Sequence, residues 1–248
     1  MKRIIPLLAI SVRQTFYRFM AIAVLMSCTQ AILFKRALEQ LSADFYTYPD
    51  MFAPLETVVS ESRIHLVFIA ALILLCLVLA YSACDSGSKS IYTLKRLAVS
   101  QERICCLWTV YYFFCISALI LWQLGLIIIF SKVYMASGPG LYSYSDAHTL
   151  FLAFWRNNFL HSIMPLEDIS RHLRNISLIA SLSMGITAFS FRQRTGKRSY
   201  SGILCLAFTA IIFIFPHSNL PADVTFSLLA LSVTGVSLWS ILGGDNND

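Results

Sequence analysis

Apolar residues gather along this chain into blocks too long and too pure for the helices of a soluble core. They run over about 16 to 36, 64 to 84, 104 to 131, 175 to 191, 201 to 215 and 223 to 242. A helix needs roughly 20 consecutive, mainly apolar residues to cross a bilayer. The pattern therefore predicts an all-α, polytopic membrane protein with six transmembrane helices, the whole of 1–248 forming one transmembrane domain. The fifth block is short enough that its helix would begin inside the preceding loop.

Two shorter amphipathic patterns flank these blocks. From Asp85 to Arg103 the chain turns polar, yet Ile91, Leu94 and Ala98 recur at three- and four-residue spacing while Lys89, Lys95 and Arg96 fall elsewhere. One face of such a helix can seat in a groove and the other stay wet, which makes it a docking handle for a cytoplasmic partner. At the start, Ile4, Leu8, Val12 and Phe16 form an apolar stripe at four-residue steps, with Arg3, Gln14 and Arg18 off it. That is the pattern of a helix lying in the membrane interface over about 1–15, and Pro6 falls where a first turn tolerates it. A frayed tail leading into the first span is the plainer alternative.

Composition agrees with the pattern: 57% of the residues are hydrophobic and 13% charged. The formal charge of +6 is spread over the ends of the apolar blocks and not gathered on one polar face, which argues against nucleic acid as a partner. It reports orientation instead. Basic loops resist translocation, so the segments holding Lys2, Arg3, Arg13, Arg18, Lys89, Lys95, Arg96, Arg103, Arg192, Arg194, Lys197 and Arg198 are expected in the cytoplasm, and both termini with them. The opposite side keeps Lys35, Arg36, Arg63, Lys132, Arg156, Arg171 and Arg174 among nine acidic residues that include Glu56, Asp168 and Asp223. The opening Met-Lys-Arg mimics a signal peptide, but Arg13 and Arg18 interrupt its apolar run, and the segment reads as retained.

Candidate chemistry is sparse. All seven cysteines fall in spans or at their cytoplasmic ends, so no external disulfide framework is expected, and the adjacent Cys105 and Cys106 lack the spacing of a zinc site. His65, His148, His161, His172 and His217 all map to the outer side or its boundary, where unrelated interfacial positions are favoured over a shared metal site or pH sensor. The first outer loop, about 37 to 63, carries Tyr46, Tyr48, Pro49, Phe52 and Pro54, a composition suited to the headgroup level. The second, about 132 to 174, encloses a predicted helix from about His148 to Met164 that ends at Pro165. Phe151, Trp155, Phe159 and Ile163 align on one face of it, making a candidate outer gate, while an interfacial anchor is the more ordinary use of such a face.

Several function classes fall away. The span interiors contain no Asp or Glu, which disfavours proton- or sodium-coupled transport. Arg194-Thr195-Gly196-Lys197-Arg198-Ser199 has the Gly-Lys pair of a phosphate loop without its upstream glycine. Neither His-Glu-x-x-His nor Gly-x-Ser-x-Gly is present, so no catalytic residue, cofactor or metal site is assigned and the chain reads as a non-enzyme. Polar groups inside the spans are mainly Ser and Thr with Gln30 and Gln123, residue types that hydrogen-bond between membrane helices more often than they perform chemistry.

The handle carries a family resemblance. Tyr92-Thr93-Leu94-Lys95-Arg96-Leu97-Ala98-Val99-Ser100-Gln101-Glu102-Arg103 resembles the pattern of a helix ending in Leu-Pro-Val-Ser and a basic residue in the permease subunits of type-2 ABC exporters, with Ala98 where that pattern usually has Pro. What the resemblance implies is a coupling helix that docks on an ABC nucleotide-binding ATPase through Ile91, Leu94, Lys95, Arg96, Leu97 and Val99. It further implies an N-terminal elbow helix over about Lys2 to Thr15 and a second, identical or related permease subunit. ATP and Mg would belong to the partner ATPase, and the location would be a bacterial plasma membrane. The long outer loop departs from many members, which carry their outer re-entrant helix between the fifth and sixth spans. Rival readings are a sensor or scaffold that holds a soluble partner by the same loop, and an intramembrane enzyme.

Overall fold

Helices form where the apolar blocks run, because a backbone surrounded by hydrocarbon must satisfy its N–H and C=O groups within its own segment. The computed structural model describes residues 4–47, 54–84, 101–137, 146–194, 201–214 and 220–242. Among these the elements are α1 (Ile4–Thr47), α2 (Leu55–Glu61), α3 (Ile64–Cys84), α4 (Gln101–Ser137), α5 (Asp146–Arg156), α6 (Asn158–Ile163), α7 (Ile169–Arg194), α8 (Ser201–Ile214) and α9 (Leu220–Leu242). No strand occurs among the described residues.

Four helices are long and apolar enough to cross a membrane: Thr15–Leu41 within α1, Ile64–Tyr81 in α3, Arg103–Ala136 in α4 and Leu220–Trp239 in α9. They match four of the six expected spans. The other two are helical but differ in kind. α7, which contains the block 175 to 191, is too rich in serine, threonine and arginine, and α8 has 14 residues. At 1.5 Å per residue, α8 is about 21 Å long, short of a hydrocarbon core of about 30 Å.

The polar α7 is the hub of the bundle, packed by α3, α4, α8 and α9. Every residue from Ser181 to Ala188 is buried. Its hydroxyls donate within the helix, Ser183 to Ile179 O, Thr187 to Ser183 O and Ser190 to Ile186 O, while Thr187 also accepts from Thr109 of α4 at 3.1 Å. Small residues let the neighbours close in. A Cβ built on Gly202 would stand 2.9 Å from the carbonyl oxygen of Gly185, so α7 and α8 cross backbone to backbone.

α1 and α4 run alongside each other in the same direction, with Thr15 against Tyr111, Ser27 accepting from the Trp122 indole at 2.9 Å, and the rings of Phe34 and Phe130 stacked at 4.8 Å. Gln30 donates to Gln123 Oε1 at 2.8 Å between them, the interhelical bond expected of these two residues. α3 runs the other way, its Leu79 carbonyl accepting from Tyr112 and its Ile64 carbonyl from Gln30.

Cys105 at the start of α4 packs with Met184 and Ala188 of α7, and Ser190 reaches the Ala80 carbonyl of α3 at 3.4 Å. The helix ends flanking 85–100 and 195–200 therefore share one end of the bundle. At the opposite end α2, α5 and α6 form a cap whose Leu55, Val58, Val59, Ala153, Phe154, Phe159 and Leu160 join the main core with Phe34, Phe68, Phe130 and Tyr134.

Two local expectations change. No break separates an interfacial N-terminal helix from the first span: α1 continues from Ile4 to Thr47, and its Val12 and Phe16 are exposed. Nor is the helix of the long outer loop continuous from 148 to 164. It stops at Arg156 and restarts at Asn158, because the Asn157 side chain accepts from the backbone N–H groups of Phe159 and Leu160 and so caps a new helix.

Candidate functional site

The first turns of α7 have two unlike faces. Ile169, Leu173 and Ile176 are 75%, 60% and 55% exposed, whereas Arg171, Arg174 and Asn175 are buried on the other side. Spacing of three and four residues stacks the latter group along one face. There they meet α6 and the first turn of α9, where Asp223 lies two residues beyond Pro221. A carboxylate suits a helix N-terminus, where the unpaired N–H groups carry partial positive charge.

Arg174 and Asp223 are each 2% exposed in their side chains, and Nη1 donates to Oδ1 at 2.6 Å. A pair withdrawn from water holds together only if its remaining donors and acceptors find partners. Here Arg174 Nη2 also donates to Ser162 Oγ at 3.2 Å and to Asn175 Oδ1 at 3.1 Å, and Nε donates to Asn175 Oδ1 at 3.3 Å. Asn175 Nδ2 in turn donates to the carbonyls of Ser162 at 2.7 Å and Ile163 at 3.3 Å. The Arg174 guanidinium carries its charge in this pair, as arginine does throughout proteins.

A second cation extends the cluster outward. Arg171 Nε lies 3.0 Å from Asp168 Oδ2 and 3.7 Å from Asp223 Oδ2, and His161 Nε2 lies 3.9 Å from Asp168 Oδ2. Asp168 is half exposed, so the charges step inward from Asp168 through Arg171 to Asp223 and Arg174, two cations against two anions. Ser162, His161 and Asp168 do not make a nucleophile and base. The Ser162 hydroxyl is held by Arg174, while the His161 ring faces Asp168 and the edge of Trp155. Among the described residues no three His, Cys, Asp or Glu side chains gather as metal ligands.

The cap is joined by a second set of polar contacts. Arg156 Nη1 donates to Glu56 Oε1 at 3.2 Å, and Asn157 Nδ2 donates to the Glu56 carbonyl at 3.1 Å, binding α2 to the α5–α6 break. That break divides the four aromatic and aliphatic residues of the candidate gate. Phe151 and Trp155 stay outside, exposed and stacked on each other at 6.0 Å, whereas Phe159 and Ile163 turn into the core, Phe159 against Phe68 at 5.8 Å and His65 at 6.0 Å. Ile91, Leu94, Lys95, Arg96, Leu97 and Val99 of the handle lie outside the described residues.

Sequence reasoning placed Arg171, Arg174 and Asp223 as scattered charges of the outer side and did not bring them together. The available signal was an acid at the first position of the sixth apolar block and an arginine abutting the fourth, since an ionisable residue at the edge of a span calls for a partner. Compared with models of known protein families, with curated proteins and with solved structures, the chain matches none.

Proposed function

We propose that this chain is the membrane-spanning permease subunit of an ATP-driven ABC transporter, exporting or clearing an amphipathic, peptide- or lipid-like substrate. ATP and Mg act in a separate nucleotide-binding subunit, and a second permease subunit completes the path. The observation that carries this reading is the amphipathic, basic stretch 88 to 99 between α3 and α4, two helices apolar enough to cross a membrane. The helix ends flanking it share one end of the bundle with those flanking the basic segment 195–200. In this reading that end is cytoplasmic in a bacterial plasma membrane, and α7 and α8 supply the fourth and fifth crossings, the polar α7 shielded from lipid by its neighbours.

Closure of the ATPase pair on ATP would push the handle and move the helices attached to it. Leu94→Asp and Leu97→Asp test this directly. An unpaired carboxylate buried at a partner interface costs a few kcal/mol, so both variants should insert normally and lose the ATPase on purification. Retention of the ATPase at full strength by both would remove the coupling role and favour a sensor or scaffold held by other contacts.

A further inference from the structure

We propose that the Arg174–Asp223 pair is the closed position of a gate at the capped end of the bundle, through which the N-terminal half of α9 parts from α6 and α7. Arg174 ties α7 to two other elements, reaching Ser162 at the end of α6 and Asp223 on α9, besides Asn175 on its own helix. α9 packs against α7 more extensively than any other two helices pack, and within that contact its polar attachment is concentrated at Asp223. The hydroxyls of Thr225, Ser227, Ser232 and Thr234 turn back onto carbonyls of their own helix, leaving Asp223, among the described residues, as the polar tie to the rest of the bundle as far as Thr234. Behind it lies a small apolar cluster of Leu178, Ile212 and Ala230 with Phe226, separate from the main core.

A buried ion pair adds little stability over an apolar contact of equal volume, and charged groups inside membrane proteins mark the places that work. This pair is also arranged to separate. On release Arg174 keeps Ser162 and Asn175, and Arg171, 3.7 Å from Asp223, keeps Asp168 at 3.0 Å, so neither cation is stranded. Interfaces of this kind shift between discrete arrangements and do not deform continuously. The gate stands on these contacts alone and holds whether or not an ATPase is the partner.

The test uses the full chain in proteoliposomes with its native cysteines replaced, and a membrane-impermeant maleimide. One reporter cysteine replaces Phe226 beside the pair, and another replaces Leu119, fully buried in α4 far along the sequence. Asp223→Asn should speed labelling at 226 by on the order of tenfold or more while 119 stays protected. Unchanged labelling at 226, or equal exposure of 119, would overturn the gate, the second result showing that the pair holds the whole fold. Should Asp223→Asn fail to accumulate, Asp223→Glu displaces the carboxylate by one methylene and is judged by the same two reporters.

Discussion

Gly185 and Gly202 set how closely α7 and α8 approach, and the cost of a side chain there follows from the space. A Cβ on Gly202 meets the Gly185 carbonyl at 2.9 Å and the Gly185 carbon at 3.2 Å, both backbone atoms that cannot step aside. Gly202→Val should lower stability by about 1 to 3 kcal/mol, read as an earlier thermal transition in detergent. Gly125 has nothing within 4 Å of its Cβ position, so Gly125→Ala should leave that transition unchanged or raise it. The Gln30–Gln123 bond calls for a different experiment. Both side chains are fully buried and one polar atom of each, Gln30 Oε1 and Gln123 Nε2, has no hydrogen-bond partner among the described residues. Either Gln→Leu change alone strands the partner amide and should cost about 1 to 3 kcal/mol, whereas the double change should cost less than the sum. A double-mutant cycle that came out additive would show that the bond contributes nothing.

At the scale of elements, the outer loop shows what a periodic pattern misses. Phe151, Trp155, Phe159 and Ile163 keep four-residue steps straight through Asn157, and hydrophobic spacing alone cannot register a side chain that ends one helix and caps the next. Once Asn157 is seen to cap α6 and to hold the Glu56 carbonyl, the four residues separate into an outward pair and a core pair. Asn157→Ala should therefore destabilise by about 1 to 2 kcal/mol, more than an exposed asparagine would. Phe159→Ala should cost about 3 to 5 kcal/mol wherever it is measured, lowering basal activity and yield together. Trp155→Ala, on an exposed face, should leave the thermal transition in place and weaken partition into lipid. Equal stability losses at 155 and 159 would contradict the division.

For the molecule as a whole, the all-helical class and four helices long and apolar enough to cross a membrane were legible because a bilayer imposes one simple demand, about 20 apolar residues in a row. Gln30 and Gln123 were legible for a related reason: a mid-span amide must find a partner, and another amide was there to meet it. Arg174 and Asp223 were not, since the 49 positions that separate them are bridged only once α7, α8 and α9 have folded back on one another. α7 itself looked like an indifferent apolar block, yet its serines, threonines and Gly185 fit the centre of a bundle and not its lipid face. The arrangement that follows has the ends flanking 85–100 and 195–200 together, and the cap with the charge pair opposite. Single cysteines at Ser90, Thr195, Ser143 and Ser218, labelled from either face of sealed vesicles with an impermeant reagent, test it most directly. Ser90 and Thr195 should react from one face, the cytoplasmic one by the charge bias, and Ser143 and Ser218 from the other; reaction of Ser90 and Thr195 from opposite faces, or of Ser143 from the same face as Ser90, would contradict it.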